Sequence, residues 1–122
     1  MNAIRRVVII DNEPAFAEAL KKMLDDFGFE VAIATDPITR DRLNLKDSDI
    51  VFVDIRTPPL SWRRLLQELA RQEAKAAIVM MGKQLEPLVE AEKFAKKMKL
   101  NLIGAMEKPF RLDDLRDILP GS

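Results

Sequence analysis

Five short apolar runs, each closed by turn residues and each followed by a stretch of helical periodicity, constrain this chain more than any other feature. The runs are Arg5–Ile10, Phe29–Ala34, Ile50–Val53 with Asp49 leading into it, Ala76–Met81 and Asn101–Met106. Runs of this length, rich in Val, Ile and Phe, read as strands buried on both faces. After the first run Pro14 suits the first turn of a helix, where its missing N–H is not needed. Phe16, Leu20, Met23, Leu24 and Phe27 then recur at helical spacing, and Gly28 is placed to close the helix. Asp36-Pro37 predicts a short polar helix reaching about Leu45. Trp62, Leu65, Leu66 and Leu69 predict a helix over 61–72, and Leu85, Leu88, Val89, Phe94, Ala95 and Met98 one running to about Lys99. Leu112, Leu115, Ile118 and Leu119 mark a last helix over 112–119. Strands alternating with helices imply a parallel sheet covered on both sides. The expected fold is therefore α/β, a three-layer α/β/α sandwich, in one domain spanning 1–122, an ordinary size for one core.

Composition narrows the chemistry. Lys plus Arg and Asp plus Glu both total 20, so the formal net charge is zero, and no basic stripe with interleaved aromatics marks a direct nucleic-acid partner. The chain has no cysteine, which removes disulfides and thiol catalysis and fits a reducing compartment. It has no histidine either, so carboxylates and lysine must carry any acid–base or metal chemistry. The apolar runs are too short and too charge-broken to span a membrane. The opening MNAIRRVVII lacks the long apolar region and cleavage site of a signal peptide. A cytoplasmic location is expected.

The polar residues of interest all fall at the carboxyl ends of strands. The first run delivers Asp11, Asn12 and Glu13; the central one, IVFVDIRTPP, delivers Asp54; the fourth ends at Gly82 and the fifth at Lys108. In a doubly wound sheet these ends share one edge, where such sheets hold ligands. Carboxylates brought together there repel by on the order of a few kcal/mol at an effective dielectric of about 20. A cation between them relieves that repulsion, and an all-oxygen site points to Mg²⁺. Lys108 adds a positive point charge suited to a phosphoryl oxygen. A carboxylate, a magnesium ion and a lysine together make an apparatus for phosphoryl transfer to an aspartate. Each residue also has a plainer reading: Asp54 as a turn former, Asp11 as a helix cap, Lys108 as a solvated lysine. Trp62 either packs on apolar neighbours or anchors a partner. Met80 and Met81 read as core, and Glu107, Arg111, Asp113, Asp114, Arg116 and Asp117 as a solvated helical face. Gly82-Lys83 is not a nucleotide loop, because the preceding glycine of a P-loop is missing.

The segments VVIIDNEP, VDIRTPP and EKPF, in this order and spacing, resemble the receiver domain of two-component response regulators, over essentially all of the chain from Arg5 to Leu119. The resemblance implies a flavodoxin-like (βα)5 fold with strand order 2-1-3-4-5. It implies that Asp54 accepts phosphate from a histidine kinase or phosphotransfer protein, and that Lys108 contacts the phosphoryl group. It implies that the Lys108–Pro109 bond is cis, and that Mg²⁺ is bound by Asp11, Asn12, Asp54 and the backbone carbonyl of Arg56. The chain departs from the pattern at four places. Asn12 stands where a second acid is usual and brings no charge to the metal. The switch hydroxyl falls on Gly82, or on Met81 in a register one residue shorter, and the switch aromatic on Ala105. Ser61-Trp62 replaces the usual Asp-Gly. The stretch AKKMKLNLIGAMEKPFRLDDL, Ala95–Leu115, is in addition similar to receivers joined to cyclic-di-GMP phosphodiesterase (EAL) output modules, which would make this chain a fragment.

Three readings of function follow. The first is a signalling module rather than an enzyme, phosphorylated on Asp54 beside Mg²⁺ and acting through protein contacts. The second is a phosphorylation-independent pseudo-receiver, favoured by Asn12, Gly82 and Ala105 and opposed by Asp54 and Lys108. The third is a flavin-binding flavodoxin relative, against which the acidic loop after the first strand counts, since a flavin phosphate wants N–H and hydroxyl donors there.

Overall fold

The computed structural model describes residues 5–34, 48–56 and 62–119. Within them the chain runs β1 (Arg6–Ile10), α1 (Pro14–Asp26), β2 (Glu30–Ala34), β3 (Ile50–Asp54), α2 (Trp62–Arg71), β4 (Ala77–Gly82), α3 (Leu85–Lys97), β5 (Asn101–Glu107) and α4 (Leu112–Ile118). The five strands form one parallel sheet in the order β2-β1-β3-β4-β5, as the resemblance implied. The predicted helix over 36–45 and the turn at 57–59 lie outside the described residues. No helix among the described residues is long and apolar enough to cross a membrane.

The strands read as unbroken apolar runs because helices cover both faces of the sheet. Val8, Ile10, Val51, Val53, Ile78 and Met80 point to one side, where they pack on Leu65, Leu66 and Leu69 of α2 and Leu88, Ala91 and Ala95 of α3. Val7, Ile9, Ile50, Phe52, Val79 and Met81 point to the other, against Ala17, Leu20 and Leu24 of α1 and Leu115 of α4. Both methionines are core, as expected. Trp62 is half-buried and meets Phe94 edge-on at 5.4 Å, while the Arg63 guanidinium covers its ring at 4.6 Å; it packs α2 against α3. On α4, Arg116 pairs with Asp113 one turn away at 3.5 Å, on the solvated face the sequence predicts.

Helices α1, α2 and α3 end alike. In each, one residue takes a left-handed conformation and the amides there fold back onto carbonyls of the last turn: Gly28 (φ 90), Glu73 (φ 56) and Lys99 (φ 62). Lys99 therefore ends α3 two residues before the predicted limit. Between β4 and β5 the register slips at Ile78/Val79, so that Ile78 pairs with Leu102 but Val79 with Gly104, an extra residue of the bulge kind. Gly104 is there for space: a Cβ on it would stand 2.6 Å from Ile118 Cδ1, so the bare backbone admits α4.

Candidate functional site

The carboxyl ends of β1, β3, β4 and β5 bring the chemistry together. Asp11 follows β1 directly, its N–H donating to the Ala34 carbonyl at 3.1 Å. Asp54 is the last residue of β3. Lys108 follows β5 and is drawn towards β4 by its own N–H, which donates to the Gly82 carbonyl at 2.7 Å, and the Lys108–Pro109 bond is cis. All three side chains are inside the molecule, Asp11 at 0%, Asp54 at 2% and Lys108 at 8% exposure.

The Lys108 ammonium is the centre of the cluster. Its Nζ lies 2.7 Å from Asp11 Oδ2, 3.4 Å from Asp54 Oδ2 and 3.4 Å from Glu13 Oε1. It also sits 4.1 Å over the ring of Phe16, which is itself held edge-on by Phe110 at 5.4 Å. Both buried aspartates are fixed in the same way. A backbone N–H two residues on, that of Glu13 or Arg56, donates to Oδ1 at 2.9 Å and 3.1 Å respectively, a turn that short acidic side chains favour. Each Oδ2 is thus left facing the lysine. For Asp11 this is a short charge-assisted hydrogen bond. For Asp54 it is an ion-pair distance only, and Oδ2 is buried with no hydrogen-bond donor.

Electrostatics follow from this crowding. Burial pushes the Asp11 carboxyl above its ordinary value, and the neighbouring Asp54 charge adds to the push; the hydrogen bonds from Lys108 and the Glu13 amide offset it only in part. Burial would lower the Lys108 ammonium, but the hydrogen bond to Asp11 and the charges of Asp54, Asp11 and Glu13 outweigh it and hold the group above the ordinary lysine value. Glu13 is nudged up by burial and brought below its ordinary value by Lys83 and Lys108. Lys83 stands at the rim, 3.3 Å from Glu13 Oε2. Three carboxylates thus face two ammonium groups, one of them half-exposed, which leaves an excess of negative charge.

That excess has the makings of a cation site. Asp11, Glu13 and Asp54 each offer an oxygen within 4.8 Å of the others, close to the span of about 4 Å between opposite ligands of octahedral Mg²⁺. The donorless Asp54 Oδ2 is the kind of buried atom that an ion would satisfy. An all-oxygen donor set suits Mg²⁺, Ca²⁺ or Mn²⁺ rather than a metal that seeks thiolate or imidazole.

Of the residues predicted from sequence, Asp11, Asp54 and Lys108 meet at one point. Gly82 supplies the carbonyl that holds Lys108, while Asn12 and Arg56 lie exposed on the rim. Ala105 is half-buried on β5, paired with Met80. Sequence reasoning places Glu13 at the end of the first strand without assigning it a ligand role, and it does not reveal the roles of Phe16, Lys83 and Ile55. Ile55 fills the space beside Gly82: a Cβ there would lie 2.8 Å from Ile55 Cδ1. The signal for Glu13 was present, since it stands two residues beyond Asp11 in a loop that must turn back over the strand end.

Comparison with known proteins bears on the family and the fold. The sequence profile of the response regulator receiver domain matches residues 7–120. The chain is 31% identical over 118 residues to the C4-dicarboxylate transport transcriptional regulatory protein DctD of Pseudomonas aeruginosa, covering 95% of this chain and 24% of that protein. It is 33% identical over 112 residues to the transcriptional regulatory protein FixJ of Bradyrhizobium diazoefficiens, covering 89% and 52%. The chain thus spans between a quarter and about half of the length of these relatives. In fold it is similar to a response regulator from Colwellia psychrerythraea, with a TM-score of 0.80 at 24% identity over 93% of this chain and 91% of that one. With the profile matched from Val7 nearly to the last residue, and the sheet order in agreement, this chain belongs to the response regulator receiver domain family.

Proposed function

We propose that this chain accepts a phosphoryl group on Asp54 from the phosphohistidine of a kinase or phosphotransfer protein, beside a bound Mg²⁺, and passes the signal on through protein contacts. The observation that carries the reading is Asp54 Oδ2, buried, without a hydrogen-bond donor and 3.4 Å from the Lys108 ammonium. The Arg56 N–H holds the other oxygen, so the carboxylate is fixed in orientation with one lone pair uncommitted. In the transfer, an Asp54–phosphorus bond forms and the phosphorus–nitrogen bond breaks, its electron pair leaving with the imidazole. Lys108, already charged and already among the acids, turns a donor from Asp11 to a phosphoryl oxygen. Asp11 and Asp54 would hold the Mg²⁺ with the Arg56 carbonyl, and the ion supplies neutralisation of carboxylate and phosphoryl charge.

The relatives DctD and FixJ are named as transcriptional regulators. An output domain joined to this one would be the natural reader of the signal, and the likeness of Ala95–Leu115 to receivers of EAL-type regulators makes a phosphodiesterase one form of it. A second reading, the pseudo-receiver, is favoured by Ile55. It occupies the place a hydroxyl-bearing side chain at 82 would need, so any response to phosphorylation must run through other groups.

Intact-mass measurement after incubation with acetyl phosphate and Mg²⁺ separates the two. A gain of about 80 Da that disappears in Asp54→Asn supports phosphorylation. An unchanged mass in both proteins supports the pseudo-receiver.

A further inference from the structure

We propose that Glu13, and not Asn12, supplies the third anionic ligand of the cation site, an assignment that rests on the magnesium reading above. Asn12 is exposed and uncharged. Glu13 is partly buried and its carboxylate leans towards the site: Oε1 is 3.4 Å from the Lys108 ammonium, and a Glu13 carboxylate oxygen lies within 4.8 Å of oxygens from Asp11 and Asp54. The second observation concerns hydrogen bonding rather than the spacing of the acids. Asp54 Oδ2 is buried and lacks a hydrogen-bond donor although it faces the same space.

Helix capping does not account for the orientation of Glu13. It occupies the N-cap position of α1, where a side chain usually binds the free amides of the first turn, yet its side chain caps nothing. Its carboxylate instead reaches back over the end of β1 to the two lysines. Lys108 and Lys83 share its two oxygens. A divalent cation is the stronger claimant, because affinity at oxygen sites rises with the number of charged ligands. The chain has in effect moved its second metal-binding acid one residue along: Asp11-Asn12-Glu13 keeps two carboxylates in the loop, and the longer glutamate makes up the added distance.

The test is calorimetric titration of the purified chain with MgCl₂, repeated with MnCl₂ and free Mn²⁺ counted by electron paramagnetic resonance. Glu13→Gln should weaken binding by about tenfold or more, and Asn12→Ala by less than about twofold. Glu13→Asp, which keeps the charge but shortens the reach, should fall between. Circular dichroism establishes that each variant is folded. If Glu13→Gln binds as the parent does, or if Asn12→Ala is the variant that loses affinity, the assignment of Glu13 is overturned while the magnesium reading stands. If the parent binds neither ion at millimolar concentration, both are overturned.

Discussion

Lys108 and Asp11, 97 residues apart in the chain, meet at 2.7 Å in the interior with their side chains 4% and 0% exposed. The contact ties the loop after β5 to the end of β1 across the top of the sheet. Removing one member of a buried charge pair leaves the other uncompensated, at a typical cost of about 3–5 kcal/mol. Here the loss is shared by Asp11, Asp54 and Glu13. Lys108→Met should therefore lower stability in chelator by about that amount, and added Mg²⁺ should restore part of it in the variant. Urea denaturation with and without Mg²⁺ measures both. A variant as stable as the parent in chelator would show that the three acids do not feel the ammonium.

The same contact sets an alkaline limit. The three acids hold Lys108 protonated more firmly in the folded chain than in the unfolded one. Its contribution to stability is complete below the unfolded lysine value of about 10.4 and is lost as pH rises through the higher folded value. Unfolding free energy of the magnesium-free chain should decline above that pH more steeply than in Lys108→Met. Equal slopes in the two proteins would remove the Lys108 contribution.

Much of this site could be seen in the chain because the fold puts strand ends in one place. Once five strands alternate with helices, Asp11, Asp54 and Lys108 have no other edge to occupy. What sequence could not reveal is which way a side chain in a loop turns. Glu13 and Asn12 are adjacent polar residues in one loop, and only the backbone path after β1 decides that the Glu13 carboxylate reaches the lysines while Asn12 stays exposed. Phe16 belongs to the apolar face of α1, as its spacing predicts. Its place under the Lys108 ammonium depends on the rise of α1 over the strand end, which periodicity does not encode. The helix ends were half legible: Gly28 announces a left-handed residue, but Glu73 and Lys99 adopt the same conformation without the glycine that would signal it.

Those two positions make a stability prediction. A left-handed residue with a Cβ costs roughly 1–2 kcal/mol relative to the right-handed conformation, and glycine avoids most of that. The gain is reduced by glycine's greater freedom in the unfolded chain. Both side chains are exposed, so nothing packed is given up. Glu73→Gly and Lys99→Gly should each raise stability by about 0.5–1 kcal/mol, and together by the sum, since they close different helices. Denaturant midpoints settle it. A loss of stability on either change would mean that these side chains contribute more than their conformation costs.

Ile55 and Gly82 are the last pair whose fit can be tested directly. Ile55 follows Asp54, and its N–H donates to the Met81 carbonyl at 3.0 Å, which carries the β3–β4 ladder past the acid and lays the side chain against Gly82. A Cβ on residue 82 would approach Ile55 Cδ1 to 2.8 Å and Cγ1 to 3.0 Å, with Leu88 Cδ1 behind at 3.7 Å. Restoring a hydroxyl by Gly82→Ser should thus cost about 1–3 kcal/mol through overpacking. Ile55→Ala opens a cavity and costs stability on its own account. In the double variant each change relieves the other, so the combined loss should fall short of the sum by at least about 0.5 kcal/mol, the coupling expected of residues in contact. The double variant also carries a hydroxyl at the end of β4, and if Asp54 accepts phosphate as proposed, its phosphorylated form should release phosphate at a rate different from that of Ile55→Ala alone. Strict additivity in stability would mean that Ile55 does not stand in the way, and the absence of a hydroxyl at position 82 would then need another cause.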